Sequence, residues 1–436
     1  MPLKTLEDTA LQIAKFWAQD IMSSVLAELV REGRRNQVFF ALVRSLRGSP
    51  LGLQFLLLSA AALFSGPWFA ERNRGPGYLV SFSDKNAAAL KRLDGISQKT
   101  GGPSLPINQI RLSVFRRIRL ILFHRDAGAS ARWLAKNGSD EAVVLMQQII
   151  GVSSAMLFDS DLRNARPALV VVANDHIPPA VALLTVAAEL GIPRAYIQHA
   201  PVTKYFPPLS VELAFLDSEA SIKAYKAAAQ RSGSPAGPTI VCLLPSPEIK
   251  TMASARKSSQ SKKIDVCIAL SLYPEPDVLD KLVCDLSAVS SVGRIQIRPH
   301  PRYRGPFRMS SGLPSGVTVE QVFASVDTLL QDFDAFIVGN SGIAVELLRR
   351  GGLTLYQEGL DRLASDYFGL VQSGVLPRMD LGLFTKPDLL SHVFDGQWRD
   401  RLTEIALPHA HENIRLETRI GEYLCEFMQP SQFRTR

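Results

Sequence analysis

The 436-residue sequence predicts an α/β protein made of two Rossmann-like domains behind a helical N-terminal extension. Three observations carry that expectation. From Pro167 onward, short continuous apolar runs alternate with helical segments, the pattern of a parallel, doubly wound sheet buried on both faces. The alternation stops at a polar stretch near residue 246 and restarts at residue 264. Each apolar run also ends in a polar cluster, and open α/β sheets bind ligands outside the carboxyl ends of their strands.

Residues 1–75 form the extension. Residues 4–47 read as helical, with few breakers and apolar residues at helical spacing. From Ser49 to Ala70 there is no charged residue, but the apolar core from Leu51 to Phe64 is shorter than the ~20 residues a spanning helix needs. Gly66-Pro67 then breaks it. This segment reads first as a buried core helix. An in-plane helix seated at an anionic inner leaflet is the functional alternative, and a true span comes third.

Residues 76–245 read as the acceptor domain. Gly75-Pro76-Gly77 turns into a strand at Tyr78–Phe82, a loop spans Gly101 to Pro106, and basic helical segments follow around Arg111–Phe123 and Ala129–Ile150. Strands are expected at Ala168–Val172, Ala195–Ile197, Leu213–Leu216 and Thr239–Leu244, with helices at Ala180–Leu190 and Ala220–Gln230. Asp217-Ser218 reads as the cap of the second of these helices. Residues 246–263, with Pro247, several serines, Lys257, Lys262 and Lys263, read as a linker. Residues 264–405 read as the nucleotide-donor domain. Its strands are expected at Ile264–Leu270, Arg294–Ile297, Ala335–Val338 and Leu353–Tyr356, and its helical stretches at Asp277–Ser287, Thr318–Leu330 and Ile343–Arg350. Residues 406–436 end the chain with a helix at Asn413–Phe427.

The formal net charge is +8, and residues 1–150 alone carry 20 Lys/Arg against 11 Asp/Glu. A basic N-terminal third points to an acidic partner, such as an anionic membrane surface or an acidic polymer. Nucleic acid is excluded as a partner, because no RNP-type, zinc-finger or basic-zipper pattern is present. Four cysteines lack metal or CxxC spacing and read as buried thiols of a reducing compartment. Glu7, Asp8 and Asp20 interrupt the N-terminus before any secretory apolar core. A cytoplasmic protein, peripheral on the inner face of the plasma membrane, is therefore expected.

The strongest chemical signal is Arg298-Pro299-His300-Pro301-Arg302, at the end of a β-type run. The prolines restrict the backbone on both sides of His300, and Arg298 and Arg302 can pair with phosphate oxygens. About forty residues on, Gly339-Asn340-Ser341-Gly342 leads from a strand into a helix and offers backbone N–H groups and a hydroxyl to a phosphate. Glu346 on that helix can accept ribose hydroxyls. In the first half, Asp175-His176 and Gln198-His199 end two successive strands. Asp175 and His176 are the candidate general bases and Gln198 and His199 the candidate acceptor ligands. Asp159-Ser160-Asp161 and Asp332-Phe333-Asp334 have DxD spacing, but both read as helix termini, so no metal site is expected.

The strand followed by RPHPR, the strand followed by GNSGIAVELLRRG, and the first-half strand ending in QHA resemble bacterial surface-polysaccharide glycosyltransferases of the two-Rossmann (GT-B) type. Polysialyltransferases, Kdo transferases and CDP-glycerol glycerophosphotransferases are the nearest in pattern. The resemblance covers about residues 165–360. It implies a nucleotide-activated sugar donor, such as a CMP-sugar, and a glycan or lipid-linked acceptor. It also implies a metal-independent, inverting transfer with no cofactor beyond the donor. His300 and Ser341 are implied as ligands of the donor phosphate, and Asp175 or His176 as the base. The chain departs from the pattern at Asn174-Asp175-His176, where polysialyltransferases carry an acidic-acidic-Gly motif, and at Ala200, where many relatives carry Gly. A CDP-polyol phosphotransferase, a nucleotide-sugar epimerase and a non-enzymatic membrane-associated assembly protein are the alternatives.

Overall fold

The computed structural model describes residues 2–17, 34–63, 76–108, 113–232, 237–245, 263–301, 312–320, 323–362, 366–385, 398, 400–402 and 413–428. Arg302 and the expected linker, apart from Lys263, lie outside the described residues.

Two parallel sheets flanked by helices form the core, in two Rossmann-like halves. The first contains β1 (Gly77–Val80), β2 (Ile107–Asn108), β3 (Leu169–Val172), β4 (Arg194–Ile197), β5 (Leu213–Leu216) and β6 (Ile240–Leu243), in the order β2-β1-β3-β4-β5-β6. The second contains β7 (Ile264–Ala269), β8 (Val292–Arg298), β9 (Val317–Val319), β10 (Ala335–Val338) and β11 (Leu353–Tyr356), in the order β11-β10-β7-β8-β9. All four residues of β1, β3, β5, β10 and β11 are buried. Burial on both faces is what a parallel sheet covered by helices demands, and it explains why these strands read as unbroken apolar runs. Each sheet has a topological switch point, between β1 and β3 in the first and between β7 and β10 in the second. There the chain leaves adjacent strands in opposite directions and opens a crevice at their carboxyl ends.

The N-terminal helices α1 (Leu3–Trp17), α2 (Arg34–Leu46) and α3 (Pro50–Leu63) form a layer on the first half. Leu6, Ala10, Val43, Leu53, Leu56 and Leu57 share one apolar cluster with Tyr78 and Val80 of the first sheet. Helix α3 is therefore a core helix, as first expected for this segment, with only Leu51 and Phe55 as large exposed apolar residues on its described turns. The first half continues with α4 (Asp84–Lys99), α5 (Val114–Leu122), α6 (Ala127–Asn137), α7 (Ala142–Ala165), α8 (Pro178–Glu189) and α9 (Glu219–Ser232). Ser83 caps α4 by accepting from the Asn86 N–H at 3.2 Å, with Asp84 in the first turn and Lys99 in the last, both favourable to the helix dipole.

Helix α7 is long and apolar enough to cross a membrane, yet it is largely buried inside this half. Helix α1 docks on it where Gly151 leaves room. A Cβ at that position would lie 2.0 Å from Ile13 Cδ1. Asp159 and Asp161 sit on this helix, the first bonded by Arg163 at 2.9 Å and the second by the Tyr78 hydroxyl.

The second half adds α10 (Pro276–Ser287), α11 (Val326–Asp332) and α12 (Ile343–Arg349). The stretch expected to be helical from Thr318 splits. Val317–Val319 joins the sheet edge as β9, and Ser325 caps the helix that starts at Val326 by accepting from the Thr328 N–H at 3.1 Å. The last helix, α13 (Asn413–Met428), returns to the first half. There Ile420, Leu424 and Phe427 pack with Leu90 and Leu93 of α4, and Lys99 pairs with Glu417. Cys242 and Cys267 are buried, and burial pushes their thiols up to about 11 and about 12. Cys284 is exposed on α10, contrary to the expectation from its apolar surroundings, because Leu282, Val283 and Leu286 take the inward face.

Leu57 is fully buried under this layer. Leu57→Ala is expected to cost about 2–5 kcal/mol of unfolding free energy in detergent-free denaturant titration. A helix whose stability came from lipid would show no such loss.

Candidate functional site

The carboxyl ends of both sheets open onto one cleft of about 1090 Å³. The first half contributes Lys85 and Arg92 from α4, Gln198–Val202 and Lys204 after β4, and Asp217 and Ser218 after β5. The second half contributes Gly342, Glu346, Arg349 and Arg350 around α12, and the loop from Asp366 to Leu370. Seven Lys/Arg line the cleft (Lys85, Arg92, Lys204, Lys223, Arg349, Arg350 and Arg401) against four acids, Asp217, Asp327, Glu346 and Asp366. The cavity therefore favours an anion.

Among the lining residues, Asp217 is coupled electrostatically to an arginine from each half, Arg92 and Arg349. Arg92 Nη1 lies 3.8 Å from Asp217 Oδ1. Burial raises the Asp217 carboxyl above its usual value, and Arg349 and Arg92 oppose that shift. Burial also pulls both guanidiniums below their ordinary value. Asp217 pulls each back up, and Arg92 repels Arg349. Arg349 Nε is buried without a hydrogen-bond partner among the described residues. A buried donor in that state costs about 1–3 kcal/mol.

Behind this cluster, the strand ends of the first half form a bonded network. Gln198 is buried, accepts the Asp217 N–H at 2.9 Å and donates to the Ala200 carbonyl at 2.8 Å, so it staples β4 to β5. Asn174 Oδ1 accepts the N–H groups of His176 and Ile177 at 3.1 and 3.0 Å, which shapes the turn into α8. Asp175 has both oxygens engaged. Oδ1 lies 2.8 Å from His176 Nδ1, and Oδ2 accepts from the Tyr225 hydroxyl at 2.7 Å. Burial and the Asp175 charge hold the Tyr225 and Tyr196 phenols well above their usual value, so both stay neutral. The His176 ring is flanked by Phe16 and Phe206, with centroids 5.1 and 4.7 Å away. His199 lines the cleft. Burial and the nearby His176 pull it down to about 4, against the opposing pull of Asp175. It is therefore neutral at pH 7, and its Nδ1 has no hydrogen-bond partner among the described residues.

In the second half, β8 carries Arg298 and leads to a half-buried His300, which is not among the residues lining the cleft. Arg298 is buried and its Nη1 is engaged. It bonds Glu320 Oε1 at 2.9 Å and the Ala324 carbonyl at 3.0 Å, and the guanidinium lies over the Phe323 ring. This residue pins the connection after β9. The Gly339–Gly342 loop follows β10. Asn340 donates to Asp361 Oδ1 at 3.1 Å and accepts the Tyr367 N–H at 2.6 Å. Gly339 allows that clamp, since a Cβ there would lie 2.2 Å from Asp361 Oδ2. Tyr367 in turn stacks on Tyr205 of the first half, with ring centroids 5.7 Å apart. Ser341 is buried at the loop apex. Gly342 and Glu346 reach the cleft, where Glu346 lies 3.4 Å from Arg350 Nη2.

The structure thus brings Gln198, His199, Gly342 and Glu346 to the cleft, and places Asp175 and His176 near His199 but not among the lining residues. Arg298 and Asn340 are held in bonds within the second half. Arg92, Asp217 and Arg349 were missed as site residues. Asp217 ends a strand and met the same criterion as the others, but it was read as a helix cap. In the structure Ser218 supplies the cap by accepting from the Ser221 N–H at 3.2 Å.

No family model matches the chain, and no curated protein matches it in sequence. Solved structures do align with it. The UDP-GlcNAc 2-epimerase of Neisseria meningitidis is 13% identical over 80% of this chain and 98% of its own, with a TM-score of 0.43. MurG of Acinetobacter baumannii is 12% identical over 79% and 98%, with a TM-score of 0.41. The calicheamicin glycosyltransferase CalG4 is 12% identical over 66% and 80%, with a TM-score of 0.39.

The low His199 value gives stability a defined pH dependence. Its folded value of about 4 lies below the ordinary histidine value of 6.5, so the unfolded chain binds the proton first as pH falls. Stability is expected to fall from about pH 6.5 down to about pH 4, and His199→Gln is expected to flatten that part of the melting-temperature curve. Parallel wild-type and variant curves would remove the assignment.

Proposed function

We propose that the protein is an inverting glycosyltransferase that moves a sugar from a nucleotide-activated donor to a bacterial surface-polysaccharide acceptor. The observation that carries this reading is the cationic cleft between the carboxyl ends of two Rossmann sheets, lined by Arg92 and Arg349. A diphosphate or phosphate ester fits that charge, and a cleft between two halves lets each hold one substrate.

In this reading the donor phosphate lies against Arg349 and Arg92 and the Gly342 turn, with His300 and Ser341 supporting the departing nucleotide. The acceptor hydroxyl lies against neutral His199. His176, held by Asp175 at Nδ1, takes the hydroxyl proton on Nε2. The acceptor oxygen forms a bond to the anomeric carbon from the face opposite the leaving group. The bond from that carbon to the phosphate oxygen breaks, and the nucleotide departs with the electron pair. Asp175 is then a positioning residue, because both of its oxygens are engaged. The positive charge that stabilises the leaving phosphate comes from side chains, so the transfer is proposed as metal-independent.

The test is turnover by the full-length protein with CMP-, CDP-, UDP- and GDP-activated sugars and oligosaccharide acceptors. His176→Ala is expected to lower kcat by roughly 10²–10⁴. His300→Ala is expected to lower it by roughly 10²–10³. Unchanged circular dichroism would exclude unfolding as the cause. Near-wild-type turnover in a variant would remove that residue's role. Conversion of donor without acceptor would favour an epimerase.

A further inference from the structure

A second concavity, of about 1070 Å³, lies on the first half among α5, the turn after it and α7. Its lining includes Phe115, Arg116, Arg119, Phe123, Arg125 and Arg163. Helix α5 is strongly two-sided. Ile121 is fully buried against the core, whereas Phe115 is 86% exposed and Phe123 is 77% exposed. Phe115, Arg119, Leu122 and Phe123 follow the i, i+4, i+7, i+8 spacing of one outward helix face. The helix packs against α3, whose own large exposed apolar residues are Leu51 at 79% and Phe55 at 55%. Single exposed apolar residues need no explanation, but two adjacent helices presenting several do.

The charge around this face is one-sided. Residues 111–136 contain seven Lys/Arg and a single acid, Asp126. Arg116, Arg119 and Arg125 are exposed. The acid in the concavity, Asp159, is already bonded by Arg163 at 2.9 Å, and Asp126 lies 3.3 Å from Arg125. Exposed phenylalanines interleaved with arginines match an anionic bilayer, whose phosphates meet the cations and whose acyl boundary accepts the rings. A second copy of the chain docked face to face would set arginine against arginine. A soluble acidic polymer would leave the aliphatic residues without a partner.

We propose that this face, centred on Phe115 and Phe123, seats the protein on an anionic membrane surface. The helix is held in place by Ile121 and by its packing on α3, so no folding step precedes binding. The inference relocates the membrane contact expected for residues 49–70. Most of that helix is core, and the docking element is the short basic helix beside it.

The experiment is co-sedimentation of the full-length protein with phosphatidylcholine vesicles containing phosphatidylglycerol, and with phosphatidylcholine vesicles alone. Binding is expected to the anionic vesicles only, and to weaken with salt. Arg116→Gln/Arg119→Gln/Arg125→Gln is expected to reduce partitioning roughly a hundredfold. Phe115→Ser/Phe123→Ser is expected to reduce it at least roughly tenfold. Both variants should keep the wild-type melting temperature, since the replaced side chains are exposed. The readout needs no donor or acceptor, so it stands apart from the transferase reading. Absence of binding to anionic vesicles, or binding unchanged in both variants, overturns the proposal. Capture of soluble polysialic acid without vesicle binding, or self-association abolished by the Phe replacements without vesicle binding, overturns it equally.

Discussion

The electrostatic coupling of the Asp217 carboxylate to Arg92 of the first half and Arg349 of the second is the interaction on which the cleft depends. The two guanidiniums repel each other, and the acid coupled to both makes their approach tolerable. Without it, the halves would carry like charges on facing walls. With it, the cluster still holds more positive charge than one carboxylate neutralises, and Arg349 retains an unpaired donor. The same arrangement leaves the cleft walls short of one anion.

Other contacts tie the two sites to this centre. Gln198 fixes the Asp217 backbone from one side, and α4 carries Arg92 from the switch point of the first sheet. From the other side, Asp361 orders Asn340, Asn340 orders Tyr367, and Tyr367 stacks on Tyr205 across the cleft. The loop after β10 is therefore coupled to the first half through a defined chain of contacts. The Asp175–His176 pair lies near His199, with the His176 ring flanked by Phe16 and Phe206. The N-terminal helix, which supplies Phe16, thus helps shape the site as well as the core.

The sheets were legible because parallel strands buried on both faces must be continuously apolar, and their carboxyl ends follow from direction alone. Strands too short to show a period escaped. Ile107–Asn108 has two residues, and Val317–Val319 has three and precedes a helix. The return of α13 to the first half is set by packing against α4, which no local pattern encodes. Arg298 was read as a phosphate ligand because its partner, Glu320, lies 22 residues away in sequence. Arg92 and Arg349 escaped for the opposite reason. Each is an unremarkable helix arginine until the second half is placed opposite the first. Motif residues that end strands could be found by rule, whereas residues that define the cleft exist only through the juxtaposition of the halves.

The central claim is that the cationic wall lined by Arg92 and Arg349 is the seat of an anionic nucleotide. Isothermal titration of the full-length protein with CMP, CDP, UDP and GDP, repeated on Arg349→Gln, tests it most directly. At least one nucleotide should bind the wild type, and the variant should bind it about 10- to 100-fold more weakly, the loss of one or two charge-assisted hydrogen bonds. Equal affinity in the two proteins, or no nucleotide binding by the wild type, would contradict the account.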